Sequence, residues 1–260
     1  MKLLALAVHG RGLVDPAEPV FRADDEALLR GAAAFETLRT YGRRPFLLER
    51  HLERLRFSSD ALALPPPDGA ARLVELVTGA APPDHVLRLY RSELALVATA
   101  AALPEGLEEL RAHGLRLRSA TLPSADLLAG VKSTSYASSF AARRDAERAG
   151  ADDALLVAGG NVHDAATANI WWRRGDTLYT PAVGAGVLPG VTRSLVLELE
   201  PAVEGTFALA DLAAADEAFT TSSIREVMPV VELDGRPIGT GRPGPLASRL
   251  QAGLRLRSAS

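Results

Sequence analysis

The sequence predicts a mixed α/β protein with two domains, and three observations support this. The chain has 260 residues, a length that suits one large domain or two modest ones of roughly 100 to 200 residues. Some segments alternate apolar and polar residues, whereas others repeat apolar residues at helical spacing. Residues 121–130 mix Pro, Ser and Gly without periodicity, as connections do. We expect a small α/β domain over residues 1–120, a linker over 121–130 and a large α/β domain over 131–260.

The first half of the chain contains predicted strands and helices in mixed order. Residues 3–8 form a short apolar run, and residues 34–41 alternate as a strand does. Residues 46–64 place leucines at helical spacing and end before three consecutive prolines, which cannot continue a helix. The other elements predicted here are a helix over 71–78, strands over 85–92 and 94–99, a helix over 105–112 and a strand over 115–119.

The second half continues the pattern. Residues 135–149 have the Ala, Arg and Glu content of a helix, and Gly150 can end it. Turns are predicted at 159–161, 175–176 and 234–235. The other predicted elements are strands over 154–158, 168–173 and 177–180, a helix over 191–199, and strands over 217–221 and 227–233.

Composition excludes several classes of function. The chain has 29 basic and 32 acidic residues, so it lacks the positive field that draws proteins to nucleic acid or anionic lipid. It has no cysteine, which excludes disulfides, cysteine zinc sites and thiol nucleophiles. Its five histidines lack ligand spacing, so no metal is expected. The N-terminal run lacks the features of a signal peptide. We expect a cytoplasmic protein that acts on small molecules.

Lys132 stands out because the only other lysine is Lys2. An ammonium can lose its proton and become a nucleophile, whereas a guanidinium effectively cannot. Tyr136 follows four residues later, so a helix that begins near Lys132 places the amine and the phenol on one face. A single interior lysine can also arise by chance.

Four further groups have both a functional and an ordinary interpretation. Residues 191 and 192 follow Pro-Gly at a predicted helix start, where unpaired amides can bind an anion or simply be capped. The hydroxyls of residues 220–223 can complete a phosphate site or form a polar strand end. Arg54 can pair with a phosphate or with nearby acids. Asp164 can hold a pyridine nitrogen or be an exposed turn acid.

These pieces occur in an order that resembles one family. The segments are GAAAFETLRTYGRRPFLLERHLERL, VKSTSY, NVHDAATANIWW, GVLPGVTR and FTTSSIREVMPVVELDGRPIG. Over residues of about 20 to 246, the chain resembles the class IV aminotransferases. This is the fold type IV pyridoxal-phosphate group, which includes branched-chain and D-amino-acid aminotransferases and aminodeoxychorismate lyase. The resemblance implies the two-domain fold type IV architecture, a pyridoxal 5'-phosphate cofactor between the domains, and a homodimer.

The resemblance also implies roles for single residues. Lys132 would hold the cofactor as a Schiff base and move the proton between the substrate α-carbon and the cofactor C4' carbon. Asp164 would pair with the pyridine nitrogen, and Tyr136 would bond the phenolic oxygen. The residues expected at the phosphate are Arg54, Val191, Thr192, Ser222 and Ser223, and those expected near the substrate are Phe35 and either Arg88 or Arg91.

The chain departs from the family pattern at two places. Asp164 stands where the family usually has Glu, so a backbone shift or a bridging water must offset the missing methylene. Residues 31–34 read Gly-Ala-Ala-Ala where the family often has Gly-Asp-Gly, which removes a polar group near the small-domain strand.

The resemblance implies transfer of an amino group from an amino acid to a 2-oxo acid by a ping-pong mechanism. Two alternatives remain open at this point. One is an aminodeoxychorismate lyase, which releases pyruvate and 4-aminobenzoate with the same cofactor. The other is a relative that binds the cofactor without catalysis.

Overall fold

The computed structural model describes residues 2–122 and 128–259, so residues 123–127 of the expected linker lie outside the described residues. Contacts group the chain into two compact units. The first unit contains Met1–Glu105 and Val131–Tyr136, and the second contains Gly106–Gly130 and Ala137–Ser260.

The first unit is built on an antiparallel sheet in which the described residues form six strands, ordered β2-β1-β6-β5-β3-β4. The sheet is covered by helices α2 and α3, and the short helix α1 precedes β3. The elements are β1 Leu3–Val8, β2 Gly12–Val14, α1 Glu26–Arg30, β3 Ala34–Tyr41, β4 Arg44–Pro45, α2 Leu48–Ala61, α3 Ala70–Ala80, β5 Val86–Arg91 and β6 Leu96–Ala101.

Alternation along β3 sets the two faces of this sheet. Ala34 and Leu38 are fully buried with Leu55 of α2 and Val77 of α3. Phe35, which falls between the buried positions, lies on the opposite face because successive strand side chains point to opposite sides. The first core therefore lies on the inner face of β3, and Phe35 is left on the outer face.

The second unit contains a mixed sheet, ordered β12-β11-β10-β13-β14-β7-β8-β9, with β15 paired to β14. The pairs of β7 with β14, β7 with β8 and β11 with β12 are parallel. The elements are α4 Leu107–His113, β7 Leu115–Thr121, α5 Ala137–Arg148, β8 Asp153–Ala158, β9 Asn161–Ala165, β10 Asn169–Arg174, β11 Thr177–Pro181, a 3-10 turn Val183–Ala185, α6 Val191–Leu199, β12 Val203–Gly205, α7 Leu209–Ala213, β13 Glu217–Ser222, β14 Glu226–Leu233, β15 Arg236–Pro237 and α8 Pro245–Ala259.

Both faces of the second sheet are covered over strands β10, β13 and β14. On one face Leu155, Ile170 and Trp172 belong to a buried apolar cluster against which Phe207 packs. On the other face Trp171 stacks on Phe219, with ring centroids 5.9 Å apart, and α6 and α8 pack against β13. Burial of both faces explains why β8 and β14 read as nearly continuous apolar runs.

Most predicted elements are confirmed, and β1, β3 and α6 have the predicted bounds. The elements that the sequence did not predict are β2, α1, β4, β9, β12, α7, β15 and α8. The turn predicted at 159–161 does not place Asp164 at its end, because Asp164 lies within strand β9.

These contact-based units have other bounds than the domains expected from the sequence, and the domain division stays a prediction. Strand β7 joins the second sheet because it pairs with β8 and β14. Val131–Tyr136 joins the first unit, since Ser133 bridges to Ala34 at the start of β3. None of the helices within the described residues combines the length and the apolar character that a membrane span requires.

Candidate active site

Hydrogen bonds to β3 and α2 fix the backbone on both sides of Lys132. The Phe35 N–H donates to the Lys132 carbonyl at 3.0 Å, and the Thr134 N–H donates to the Ala33 carbonyl at 2.8 Å. The Lys132 N–H in turn donates to Ser58 Oγ at 3.0 Å. Partners on β3 and α2 therefore determine where the Lys132 side chain begins.

Two aromatic rings lie beside the Lys132 amine. Its Nζ is 4.3 Å from the centroid of the Phe35 ring and 5.9 Å from that of Tyr136. The two rings meet edge to face, with centroids 5.6 Å apart. Ring faces attract an ammonium through their quadrupoles, so the rings restrict the position of the amine.

The helical relation expected between Lys132 and Tyr136 is wrong. Helix α5 begins only at Ala137. The backbone bonds to β3 keep Val131–Tyr136 outside the helix, and the segment brings the amine and the phenol ring together without a helical turn.

A buried ionic cluster lies on the inner face of β3. Arg54 forms two hydrogen bonds to Glu36, from Nε to Oε1 at 2.7 Å and from a terminal nitrogen to Oε2 at 2.8 Å. The Nδ1 of His51 lies 2.7 Å from Glu36 Oε2. Burial by itself would raise the pKa of Glu36, but Arg54 and His51 reverse this and lower it to about 2. Arg54, expected at a phosphate, thus has its guanidinium fixed by a carboxylate.

His51 serves this cluster as a neutral donor. Burial lowers its pKa and outweighs the raising effect of Glu36. Since an ionised carboxylate only accepts hydrogen bonds, the neutral ring donates its Nδ1 proton to Glu36.

The two candidate substrate arginines lie on opposite faces of the first sheet. Arg88 of β5 lies opposite Thr37, and Phe35 lies opposite Tyr90, so Arg88 shares the outer face with Phe35. Arg91 lies opposite Ala34 and donates from Nε to the Pro65 carbonyl at 2.7 Å. Of the two, only Arg88 lies on the sheet face that carries Phe35.

In the second unit, Asp164 accepts three hydrogen bonds. Asn169 Nδ2 lies 3.1 and 3.2 Å from the two carboxylate oxygens, and the Leu188 N–H donates to Oδ2 at 3.2 Å. Asn169 also donates to the Leu188 carbonyl at 2.9 Å. One amide side chain therefore connects the acid on β9 to the loop that leads into α6.

Burial raises the pKa of Asp164 to about 7, although the hydrogen bonds from Asn169 and Leu188 and the charge of Arg193 oppose this. The residue is half-buried, so part of its surface is open while the carboxyl is poorly hydrated. Such a carboxyl can change protonation state near neutral pH.

The start of α6 lies close to Asn169. A Cβ added to Gly190, the N-cap residue, would lie 1.9 Å from Asn169 Oδ1. Asn169 pairs with Thr221 near the end of β13, and Ser222 and Ser223 follow directly. The second unit thus gathers Asp164, the first backbone amides of α6 and the hydroxyls of Ser222 and Ser223 along one stretch of sheet.

Sequence reasoning missed Asn169 and Glu36. Both left a signal: Asn169 is a polar residue directly before the buried segment Ile170 to Trp172, and Glu36 occupies an inward position of an alternating strand. A buried polar residue at such a position requires hydrogen-bond partners. That requirement points to a built polar site.

Comparison with known proteins identifies the family. The sequence pattern described as Amino-transferase class IV matches residues 33–233, which is well over half of the chain. The chain belongs to the class IV aminotransferase family. The resemblance inferred from its motifs is confirmed.

The relatives of this family member carry more than one activity. A putative branched-chain-amino-acid aminotransferase of Methanocaldococcus jannaschii is 29% identical, covering 92% of this chain and 91% of the relative. An aminodeoxychorismate lyase of Bacillus subtilis is 28% identical, covering 94% and 91%.

The solved structure of a hypothetical aminotransferase from Mycobacterium tuberculosis confirms the predicted fold type IV architecture. It is 26% identical with a TM-score of 0.88, covering 97% of this chain and 98% of that one. It has been determined in a form bound to pyridoxal 5'-phosphate (PLP) and in a form bound to α-ketoglutarate and pyridoxamine 5'-phosphate (PMP).

Proposed function

We propose that this family member is a pyridoxal-phosphate-dependent aminotransferase that moves an amino group between an amino acid and a 2-oxo acid. The observation that carries the proposal is the Lys132 amine, held beside the Phe35 and Tyr136 rings by a segment bonded to β3. Family membership and the PLP-bound relative support the choice of cofactor.

The residues of this chain fit the chemical groups of that cofactor. An amine suits its aldehyde, a phenol suits its ring oxygen, and a carboxyl suits its ring nitrogen. The N-cap of α6 is Gly190, which has no side chain, and Asn169 lies too close for a Cβ to be added there. Free amides at the start of a helix favour binding of a phosphate. We assign the phosphate to Arg54, Val191, Thr192, Ser222 and Ser223.

When bound, the cofactor withdraws electrons from the carbon that must lose a proton. Lys132 would form the Schiff base, and its released amine would carry a proton between the substrate α-carbon and C4' of the cofactor. Tyr136 would donate to the cofactor's phenolic oxygen. Asp164 would remain ionised beside a protonated ring nitrogen, because an adjacent positive charge lowers a carboxyl pKa.

Substrate recognition is assigned to the outer face of the first sheet. Phe35 would contact the substrate from beside Lys132, and Arg88, on the same face, would pair with a substrate carboxylate. Arg91 stays a weaker candidate because its Nε is used by the Pro65 carbonyl on the opposite face.

A lyase activity is the second candidate function, and the Bacillus subtilis aminodeoxychorismate lyase supports it. The two reactions separate in one assay. Pyruvate release from aminodeoxychorismate without any amino acceptor identifies the lyase, whereas amine transfer that requires a 2-oxo acid identifies the aminotransferase.

The visible absorbance spectrum tests the proposal. We expect the purified protein incubated with pyridoxal phosphate to be yellow and to bleach with particular L- or D-amino acids. Lys132→Ala should lose the absorbance band of the parent protein. Lys2→Ala is the control, because Lys2 is the second lysine of the chain and is exposed, and this variant should keep the band. A protein that stays colourless with the cofactor would contradict the proposal. Cofactor binding without reaction with any amine would favour a non-catalytic relative.

We also propose a homodimer, as the resemblance implies, and a cytoplasmic location, as the lack of cysteine suggests. Sedimentation equilibrium tests the dimer directly, because its mass is twice the 27.4 kDa of the chain.

A further inference from the structure

Glu226 combines two unfavourable features. It has a left-handed backbone conformation, with φ of 58°, which is uncommon for residues other than glycine. Its side chain carries a carboxylate that is only 1% exposed. Burying a charge is costly unless hydrogen-bonding partners surround it. A residue with both features at the first position of β14 must be held by its surroundings.

Two helices supply those partners. Gln251 and Arg255 of α8 donate to Glu226 Oε2 at 2.7 and 3.0 Å, and Arg111 of α4 donates to the same oxygen at 3.0 Å. Three donors from α4 and α8 thus converge on one carboxylate oxygen. We call these side chains and Glu226 the Glu226 bracket.

The bracket also holds the backbone on either side of Glu226. Arg111 donates to the carbonyls of Arg225 and Val227 at 2.9 and 3.1 Å. Gln251 accepts from the Val227 N–H at 3.0 Å. The chain is therefore fixed at three successive residues.

Residues 225–227 close the hairpin between β13 and β14, which carries the turn at Ser222 and Ser223. Ser222 pairs directly with Glu226 across β13 and β14, and Ser222 Oγ accepts from the Arg225 N–H at 3.3 Å. Arg225 also reaches Asp153, which is 1% exposed, at 2.6 Å. Since a short hairpin has few backbone conformations, the conformation at Glu226 determines where Ser222 and Ser223 lie.

We propose that Glu226 is a positioning residue for phosphate recognition: the bracket fixes the left-handed residue that sets the Ser222–Ser223 turn in its phosphate-holding conformation. The inference rests on the proposed function, which assigns the cofactor phosphate to this turn. Glu226 itself touches no cofactor atom in this proposal.

The test compares two ligands that differ only in the phosphate. Dissociation constants of pyridoxal phosphate and of pyridoxal are measured by absorbance titration for the parent and for Glu226→Gln. We expect the constant for pyridoxal phosphate to rise about ten-fold, comparable to losing one hydrogen bond to a charged group. The constant for pyridoxal should hardly change, because its binding does not use the turn.

Two further variants complete the experiment. Gln251→Met removes two bracket hydrogen bonds without changing Glu226, and it should show the same selective loss if Glu226→Gln folds poorly. Glu217→Gln is the matched control: Glu217 is a buried acid at the opposite end of β13 and accepts from the α8 amides of Leu246 and Ala247 at 3.2 and 2.8 Å. It should leave the ratio of the two constants unchanged.

The outcomes separate the inference from the proposed function. Equal weakening for both ligands, or none in either bracket variant, would overturn the positioning role while the parent still binds pyridoxal phosphate. A parent that binds neither ligand would overturn the proposed function and this inference with it.

Discussion

Opposing effects act on the carboxyl of Asp164. Burial favours the protonated acid, while hydrogen bonds from Asn169 and Leu188 favour the carboxylate, and burial dominates so that the pKa rises to about 7. At neutral pH, an acid held in this way lowers the unfolding free energy of the apoprotein. Functional sites often contain such groups because their protonation must match a reaction.

This balance predicts a pH effect on the apoprotein. The pKa of Asp164 is higher in the folded than in the unfolded chain, so the folded state binds more protons and loses stability as pH rises from about 4 to 7. Asp164→Asn removes that loss. Relative to the parent, it should gain about 1 to 3 kcal/mol between pH 5 and 8, since one pKa unit corresponds to about 1.4 kcal/mol.

Urea unfolding of both apoproteins at the two pH values measures this gain. A difference in unfolding free energy that is constant with pH would contradict the raised pKa. Asp176→Asn is a suitable control because Asp176 is an exposed acid in a hairpin turn.

At the residue scale, the sequence identified side chains whose chemistry is unusual by type. Lys132 was selected as a candidate because lysine is rare in this chain and an amine is nucleophilic. Asn169, Glu36 and Glu226 were not found, because their importance comes from partners that fold onto them. Glu226 depends on Arg111 and Gln251, which lie far away in sequence.

At the scale of elements, α6 was predicted with its observed bounds because Pro-Gly precedes a strongly apolar helical segment. Strand β9 was missed because Asn161, His163 and Asp164 make it polar, and its pairing with β8 gives it strand form. Helix α8 was missed as well, although it packs on β14. Tertiary contacts override weak local patterns in such segments.

The contact at the start of α6 predicts a strong effect for Gly190→Ala. The backbone of Gly190, at φ −66° and ψ 133°, is allowed for alanine, so any cost comes from space. A Cβ there would lie 1.9 Å from Asn169 Oδ1, which forces Asn169 or α6 to move. We expect a loss of about 1 to 3 kcal/mol in unfolding free energy, typical of overpacking, together with weaker binding of pyridoxal phosphate.

Gly79→Ala is the matched control in denaturant titrations. Gly79 lies in helix α3, and an added Cβ meets nothing within 4 Å. It should gain roughly 0.5 to 1 kcal/mol from helix propensity. If Gly190→Ala were equally stabilising, the close approach to Asn169 would not constrain the site.

At the scale of the whole molecule, the sequence predicted two domains, but it did not predict how the chain passes between the contact-based units. Composition predicted a connection near residues 121–130, whereas the chain passes from one unit to the other at 105–106, 130–131 and 136–137. Strand β7 pairs in parallel with β8 and β14. A local pattern cannot reveal such long-range partners, because it specifies strand form and not strand neighbours.

Assignment of Val131–Tyr136 to the first unit predicts where the stability of the Lys132 segment comes from. Its Lys132 and Thr134 amides are bonded to Ser58 and Ala33, so they should exchange hydrogen when the first unit opens. Leu38→Ala and Leu155→Ala are matched, since both leucines are strand residues with 0% exposure, one in each unit. Each should cost about 2 to 5 kcal/mol.

Hydrogen exchange by mass spectrometry on a peptide covering 131–136 distinguishes the two variants. Leu38→Ala should accelerate exchange of this peptide by roughly ten-fold or more, because a loss of about 1.4 kcal/mol in the opening free energy already gives a factor of ten. Leu155→Ala should accelerate peptides of β8 and leave 131–136 near the parental rate. Equal acceleration in both variants would show that the lysine segment opens only when the whole chain unfolds, and its protection would then not belong to the first unit.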